Sequence, residues 1–189
     1  VAFDDIHAAP AQGFDRALQA FGAAGARIDH AQIPAVAEAM AMAGILFAAE
    51  CYGIWGEAIE ANPDVMFAPV RDRFRAGAAF KAHEYVAAWR RLEALRRDWT
   101  VAVSGYDAVL IPTVPTLPQR IDDLLAAPAF FAAENLMALR NTRIGNLMGL
   151  CALTLPTGVP STGVMLMAGP GQEARLLRLG AAAEAVLAA

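Results

Sequence analysis

The apolar positions of this chain recur with two periods, and these divide it into helices and short buried strands. Over residues 10–25 Phe14, Leu18 and Phe21 return at helical spacing, and Gly25 supplies the stop. Arg27-Ile-Asp-His-Ala-Gln-Ile33 alternates apolar with polar instead and ends at Pro34, which predicts a half-buried strand. A long helix is expected over 35–61, closed by Asn62-Pro63. Its segment from Ala39 to Ala49 carries no charge and calls for cover on most sides. A short helix over 67–76 precedes a longer one over 81–103, with Val86, Trp89 and Leu92 facing inward and Ser104-Gly105 breaking it.

Beyond residue 105 the runs shorten. Ala108-Val-Leu-Ile111 is continuous, apolar and bounded by turn residues, the mark of a central strand. Pro112, Pro115 and Pro118 then hold the backbone extended. A helix over 129–140 leads into a stretch punctuated by Gly145 and Gly149. Strands follow at 152–155 and 164–167, joined by Pro156-Thr-Gly-Val-Pro160. A closing helix over 172–187 lines up Leu176, Leu179, Ala183 and Val186. The three strands are expected in one sheet. Helices interleaved with buried strands make the class α/β, a mixed β-sheet covered by α-helices. No internal repeat or linker is visible, so residues 1–189 read as a single domain.

Composition adds one tension. Hydrophobic residues make up 57% and charged residues 18% of the 189 positions, with a mean hydropathy of +0.39. That excess implies an apolar face packed against something else. The uncharged run 144–172 is long enough to cross a bilayer, but Pro156, Pro160, Pro170 and six glycines rule out one continuous helix, so no membrane span is expected. Asp4 and Asp5 occupy the place of a signal peptide's basic region, and the first residue is Val, which suggests a fragment or trimmed product. The net charge of −4 disfavours nucleic acid, and Arg90, Arg91, Arg96 and Arg97 alternate with Glu84, Glu93 and Asp98 as on a solvated helix face. Cys51 and Cys151 make no disulfide framework, which fits a reducing cytoplasm.

Chemistry-bearing residues are sparse. Ser104 and Ser161 lie in no nucleophile motif and have no base beside them. Cys151 directly precedes a buried strand and reads as a small core residue. His7, His30 and His83 fall on separate elements, without metal-ligand spacing, and Lys81 is the sole lysine. Taken alone, these residues describe an α/β domain with no visible catalytic residue and no cofactor.

Four segments carry more information. Tyr106-Asp-Ala-Val-Leu-Ile-Pro-Thr-Val-Pro-Thr-Leu-Pro118, Asn141-Thr-Arg-Ile-Gly-Asn-Leu-Met-Gly-Leu-Cys-Ala-Leu-Thr-Leu-Pro156, Gly163-Val-Met-Leu-Met-Ala-Gly169 and Glu173-Ala-Arg-Leu-Leu177 follow in the order found in the amidase signature family. Weaker similarity covers the helix after Pro10, Glu50 to Glu57, and Arg73-Phe-Arg-Ala-Gly77. The chain thus resembles the C-terminal portion of such an enzyme. Ile144 and Cys151 stand where the family often has proline, which blurs the substrate class more than the family.

The resemblance implies hydrolysis of a small amide without a cofactor, by a serine nucleophile, a bridging serine in a cis peptide and a lysine base. Those residues and the oxyanion donors lie in the family's N-terminal half, and nothing here matches that half. It further implies that this portion supplies pocket wall and sheet scaffold. Tyr52 and Arg73 are candidate substrate contacts, Arg73 at a position used for acidic substrates. Thr142 and Asn146 lie on the segment that approaches the serines. A buried Asn146 would brace that segment, whose run 144–155 is uncharged. Three arrangements remain: part of an amidase whose N-terminal catalytic half is the partner, a non-catalytic subunit of a separate catalytic chain, or an independent binding domain. In the isolated chain an apolar patch at 141–156 is expected to be exposed or covered in a homo-oligomer.

Overall fold

The structure is a computed structural model that describes residues 1–188. The chain divides into two compact units, Val1–Ile33 with Trp99–Ala189, and Pro34–Asp98.

In the first unit the sheet is built by β1 (Val109–Pro112), β2 (Cys151–Pro156) and β3 (Gly163–Ala168), in the order β1-β3-β2. All three expected strands therefore share one sheet, and both pairings are antiparallel. β3, not β1, is central. Its residues Val164 to Ala168 are all buried, whereas β1 ends on Pro112, which lacks an N–H and suits an edge.

Register sorts the side chains into two faces. Leu110, Leu166 and Leu153 form one cross-strand row, with Pro112, Val164 and Leu155 beside it. This face packs against Phe14, Ala17 and Phe21 of α1 (Ala8–Ala23) and Leu176 of the last helix. That helix, Glu173–Ala188, can lie close because Leu153 fills the space where a side chain on Gly180 would stand. Each fully buried Leu or Phe contributes about 1.5–3 kcal/mol to the unit's stability.

On the opposite face Met165 and Met167 are buried beside Ile111, and Gly145 lies over the Met167 sulfur. The segment expected as a glycine-rich turn is in fact a helix, Arg140–Met148, following helices Ile121–Ala126 and Pro128–Ala138. It presents Asn141, Ile144, Leu147 and Met148 inward at helical spacing. Gly145 sits within it. Gly149 ends it in the left-handed conformation (φ 71°), with its N–H on Asn146 O and the Leu150 N–H on Gly145 O. This is a Schellman cap, which favours glycine at the left-handed position. Helical coverage stops short of β2, whose Ala152, Thr154 and Pro156 are exposed on this face.

The strand expected at 27–33 does not form. These residues are irregular and mostly exposed. Ile28 packs against the core cluster, while among the described residues no strand pairs with this segment.

In the second unit the expected long helix is two: Pro34–Ala41 and Ala43–Ala61, bent by 45° around Met42. Among the described residues no single helix is long and apolar enough to cross a membrane, and only this bent pair reaches the length jointly. Residues Ala68–Arg75 form a short helix and Ala76–Ala79 a 3-10 turn. The helix Ala82–Ala102 buries Ala88, Leu92 and Leu95. Val86, expected inward, is 55% exposed, because the inward stripe runs through 88, 92 and 95, and Val86 lies off it.

Two bidentate ion pairs link elements of this unit. Arg75 Nε and Nη2 donate to Glu60 at 2.8 and 2.7 Å, and Arg91 donates to Glu38 at 2.5 and 2.6 Å. Hydrogen bonds from the guanidinium groups hold both carboxyls below the usual carboxylate range. A depressed folded-state pKa adds stability above the unfolded value, about 4.3 for Glu, and loses it as pH falls through the folded value. Glu60→Gln should therefore lower the denaturant midpoint at pH 7, and the two melting curves should converge in acid. A gap that persists at low pH would assign the effect to packing.

Candidate functional site

The four residues singled out from sequence fall in two places. Tyr52, on the helix Ala43–Ala61, lies over Gly56, and it adds slightly to the lowering of the Glu60 pKa that Arg75 produces. The ring is half-buried and thus braces the unit. Arg73, on the helix Ala68–Arg75, is exposed. Cys51 beside Tyr52 has its thiol pKa pushed up by burial and by Glu50, which makes it a poor nucleophile.

Thr142 and Asn146 both lie on the helix Arg140–Met148. The Thr142 hydroxyl donates to Leu139 O at 3.1 Å. Asn146 is exposed, and the bracing expected of it is done by Asn141. Asn141 is 0% exposed and its Nδ2 donates to Pro112 O at 2.7 Å and Ala2 O at 3.0 Å. The expectation failed because the segment is a helix, which turns residue 141 inward with 144 and 148 and residue 146 outward. Arg140 donates to the Ala2 and Asp4 carbonyls, tying the N-terminal residues to the same helix.

The motif segments also meet one another. Asp107, of the Tyr-Asp pair before β1, takes an ion pair from Arg175 in the last helix. At the β2–β3 turn the Thr157 and Thr162 hydroxyls hydrogen-bond each other, and the Val159 N–H donates to Thr157 Oγ1 at 3.3 Å. Two residues of this turn are left-handed: Gly158, and Ser161 at φ 60°. A non-glycine residue held there stores roughly 1–3 kcal/mol of strain, a feature that clusters at ligand sites.

Ser161 borders a cleft of about 300 Å³ in the first unit, a volume at the lower end of small-molecule sites. The proline-bounded segment Val114 to Gln119 makes one wall, and Leu124, Phe131, Glu134, Asn135 and Ala138 make the other. The lining is mostly apolar with a few polar groups. Gln119 Nε2 donates to Glu134 Oε2 at 2.9 Å. Thr116 is only 5% exposed and lies in the lining. None of these cleft residues was picked out from sequence as a ligand contact. One signal was present: Glu134 is the sole charge between Asp123 and Arg140. No three His, Cys, Asp or Glu side chains gather as a metal site among the described residues.

Comparison with known proteins follows from this geometry. The family model described as Amidase matches residues 2–177. The chain belongs to the amidase family. It is 33% identical over 194 residues to the 2-amino-5-chloromuconic acid deaminase of Comamonas testosteroni, covering 98% of this chain and 41% of that protein. Among solved structures it superposes on 6-aminohexanoate cyclic dimer hydrolase (TM-score 0.74, 22% identity, 96% of this chain, 42% of that one). It also superposes on the Kluyveromyces lactis allophanate hydrolase (TM-score 0.80, 16% identity, 94% and 30%). The fold is thus the mixed α/β amidase-signature type, and the chain spans about 41% of the deaminase's length. The matched span, residues 2–177, includes the sheet, the Schellman-capped helix and the Asp107–Arg175 pair.

Proposed function

We propose that this chain is the C-terminal portion of an amide hydrolase, forming pocket wall and sheet scaffold for a serine–serine–lysine centre supplied by the remainder of the enzyme. The observation that carries the reading is where the four motif segments fall. They form β1, the Arg140–Met148 helix with β2, β3, and the last helix, one packed layer in a chain whose family match runs from residue 2 to 177. Neither serine stands in a sequence motif that would activate it. Ser104 follows the helix Ala82–Ala102, and Ser161 sits in the β2–β3 turn. Lys81 directly precedes that helix and is exposed. A serine without a base is a weak nucleophile.

The edge of β2 and its exposed Ala152, Thr154 and Pro156 suit further packing by the N-terminal catalytic half. Exposed Ile121, Leu125 and Leu136 add to the apolar surface available for such packing and account for part of the high hydropathy. Asn146 and Arg73 keep exposed side chains and are the two named residues best suited to face substrate or the catalytic half. The substrate class is a small amide and the compartment the cytoplasm.

The test is ammonia release from a panel of small primary amides by the 189-residue chain. No release above background is expected. Release that Ser104→Ala or Ser161→Ala abolishes would overturn the division of labour.

A further inference from the structure

The cleft beside the β2–β3 turn has a charge balance that selects its ligand. Glu134 is the one formally charged residue in the lining, and no Lys, Arg or His lines it. Gln119 already donates to Glu134 and to Leu117 O, at 2.9 and 3.4 Å. The amide is thereby committed to fixing the carboxylate. The other polar side chains of the lining are Asn135, which is engaged in an interaction of its own, and two hydroxyls, Thr116, 5% exposed, and Ser161, held in the left-handed conformation at the rim. A hydroxyl accepts as readily as it donates, and a carboxylate only accepts. Val114, Leu117, Leu124 and Phe131 supply apolar walls around these groups.

We infer that this cleft binds the protonated primary amine of a small aliphatic molecule, with Glu134 as counter-ion and Thr116 as second acceptor, and that it rejects carboxylates. An ammonium brings three donors to a site rich in acceptors, and its charge is matched by one fixed carboxylate. A ligand carboxylate would meet Glu134 with no cation to offset it, and like charges at such range disfavour binding. Glu134 is then a specificity residue that reads an amine remote from any amide being cleaved. The inference rests on the hydrolase reading for its biological meaning, since the natural ligand becomes an amide that also carries a primary amine.

Binding is measurable without turnover. Titration of the full chain with n-butylamine, butyramide and butyrate at pH 7, followed by amide chemical shifts of residues 114–138 and 161, should show n-butylammonium binding at least tenfold more tightly than butyrate. Butyramide should fall between them. Glu134→Gln should remove most of the ammonium preference, and Thr116→Val should weaken ammonium binding severalfold, with denaturant midpoints confirming that both variants fold. Binding of butyrate equal to that of the amine, shifts confined to other residues, an unaltered preference in Glu134→Gln, or no saturable binding of any probe would each overturn the assignment. Failure here leaves the hydrolase reading to its own ammonia assay, and selective amine binding stands even if that assay contradicts the division of labour.

Discussion

Asn141→Ala should destabilise the first unit by about 2–4 kcal/mol, while Asn146→Ala should fall within about 0.5 kcal/mol of wild type. Asn141 is wholly buried and its two amide protons are both spent, one on Pro112 O at the end of β1 and one on Ala2 O. Truncation removes both bonds and opens a void between helix and sheet. The net worth of an ordinary hydrogen bond is only about 1 kcal/mol, but a carbonyl left buried without its donor costs about 1–3 kcal/mol. Asn141→Leu separates the two contributions, since it restores volume without donors. If donors dominate, Leu will be nearly as damaging as Ala. The measurement is a urea melt of the three variants against wild type. Equal midpoints for Asn141→Ala and Asn146→Ala would mean that the tie between β1, the N-terminal residues and the Arg140–Met148 helix carries little stability.

That pair of residues shows what was legible in the sequence and what was not. The uncharged run from Ile144 to Leu155 signalled a segment that is buried on one face only, with Asn146, Ala152 and Thr154 exposed, and the glycines signalled close approach and a left-handed turn. Two glycines four residues apart look like loop punctuation, yet only Gly149 has positive φ, while Gly145 is an ordinary helical position facing Met167. Tertiary packing overrode glycine's weak helix propensity, worth about 1 kcal/mol against alanine. With the helix unrecognised, the inward residue was misplaced by five positions.

The strands were easier, because Ala108–Ile111 and Val164–Met167 are apolar on both faces and admit few alternatives. Their order was not readable. Which strand is central depends on pairings between residues about fifty positions apart, and only the proline closing β1 hinted at an edge. The alternation over 27–33 misled for a related reason: periodicity reports which side chains are apolar, and a strand needs a neighbour as well. The cleft was invisible for a third reason. Thr116 and Glu134 are eighteen positions apart and neither stands in a catalytic pattern, so their meeting is a product of the extended segment that three prolines impose and of the helix Pro128–Ala138 beside it.

Gly77→Ala should be the most damaging single methyl in the second unit, at about 3 kcal/mol or more. A Cβ at residue 77 would stand 2.5 Å from the Ala48 carbonyl carbon, closer still to its oxygen, and 2.9 Å from Tyr52 Cβ. The first obstacle is backbone within the helix Ala43–Ala61, whose hydrogen bonds resist displacement. Relief therefore requires the 3-10 turn Ala76–Ala79 to withdraw from that helix. Withdrawal would also disturb Tyr52, whose Cβ is the third obstacle, and the Arg75–Glu60 pair beside it. Gly180→Ala makes a useful contrast, because the obstructing atom there is the end of the Leu153 side chain, which can change rotamer for about 1 kcal/mol. Gly53→Ala, on the same helix as Tyr52, meets nothing within 4 Å and should stabilise by up to about 1 kcal/mol. Urea melts of the three variants should rank Gly53→Ala above wild type, Gly180→Ala below it and Gly77→Ala lowest. A Gly77→Ala protein with the wild-type midpoint would show that the turn moves off the helix freely, and the close packing at Ala48 would then contribute nothing to holding the second unit together.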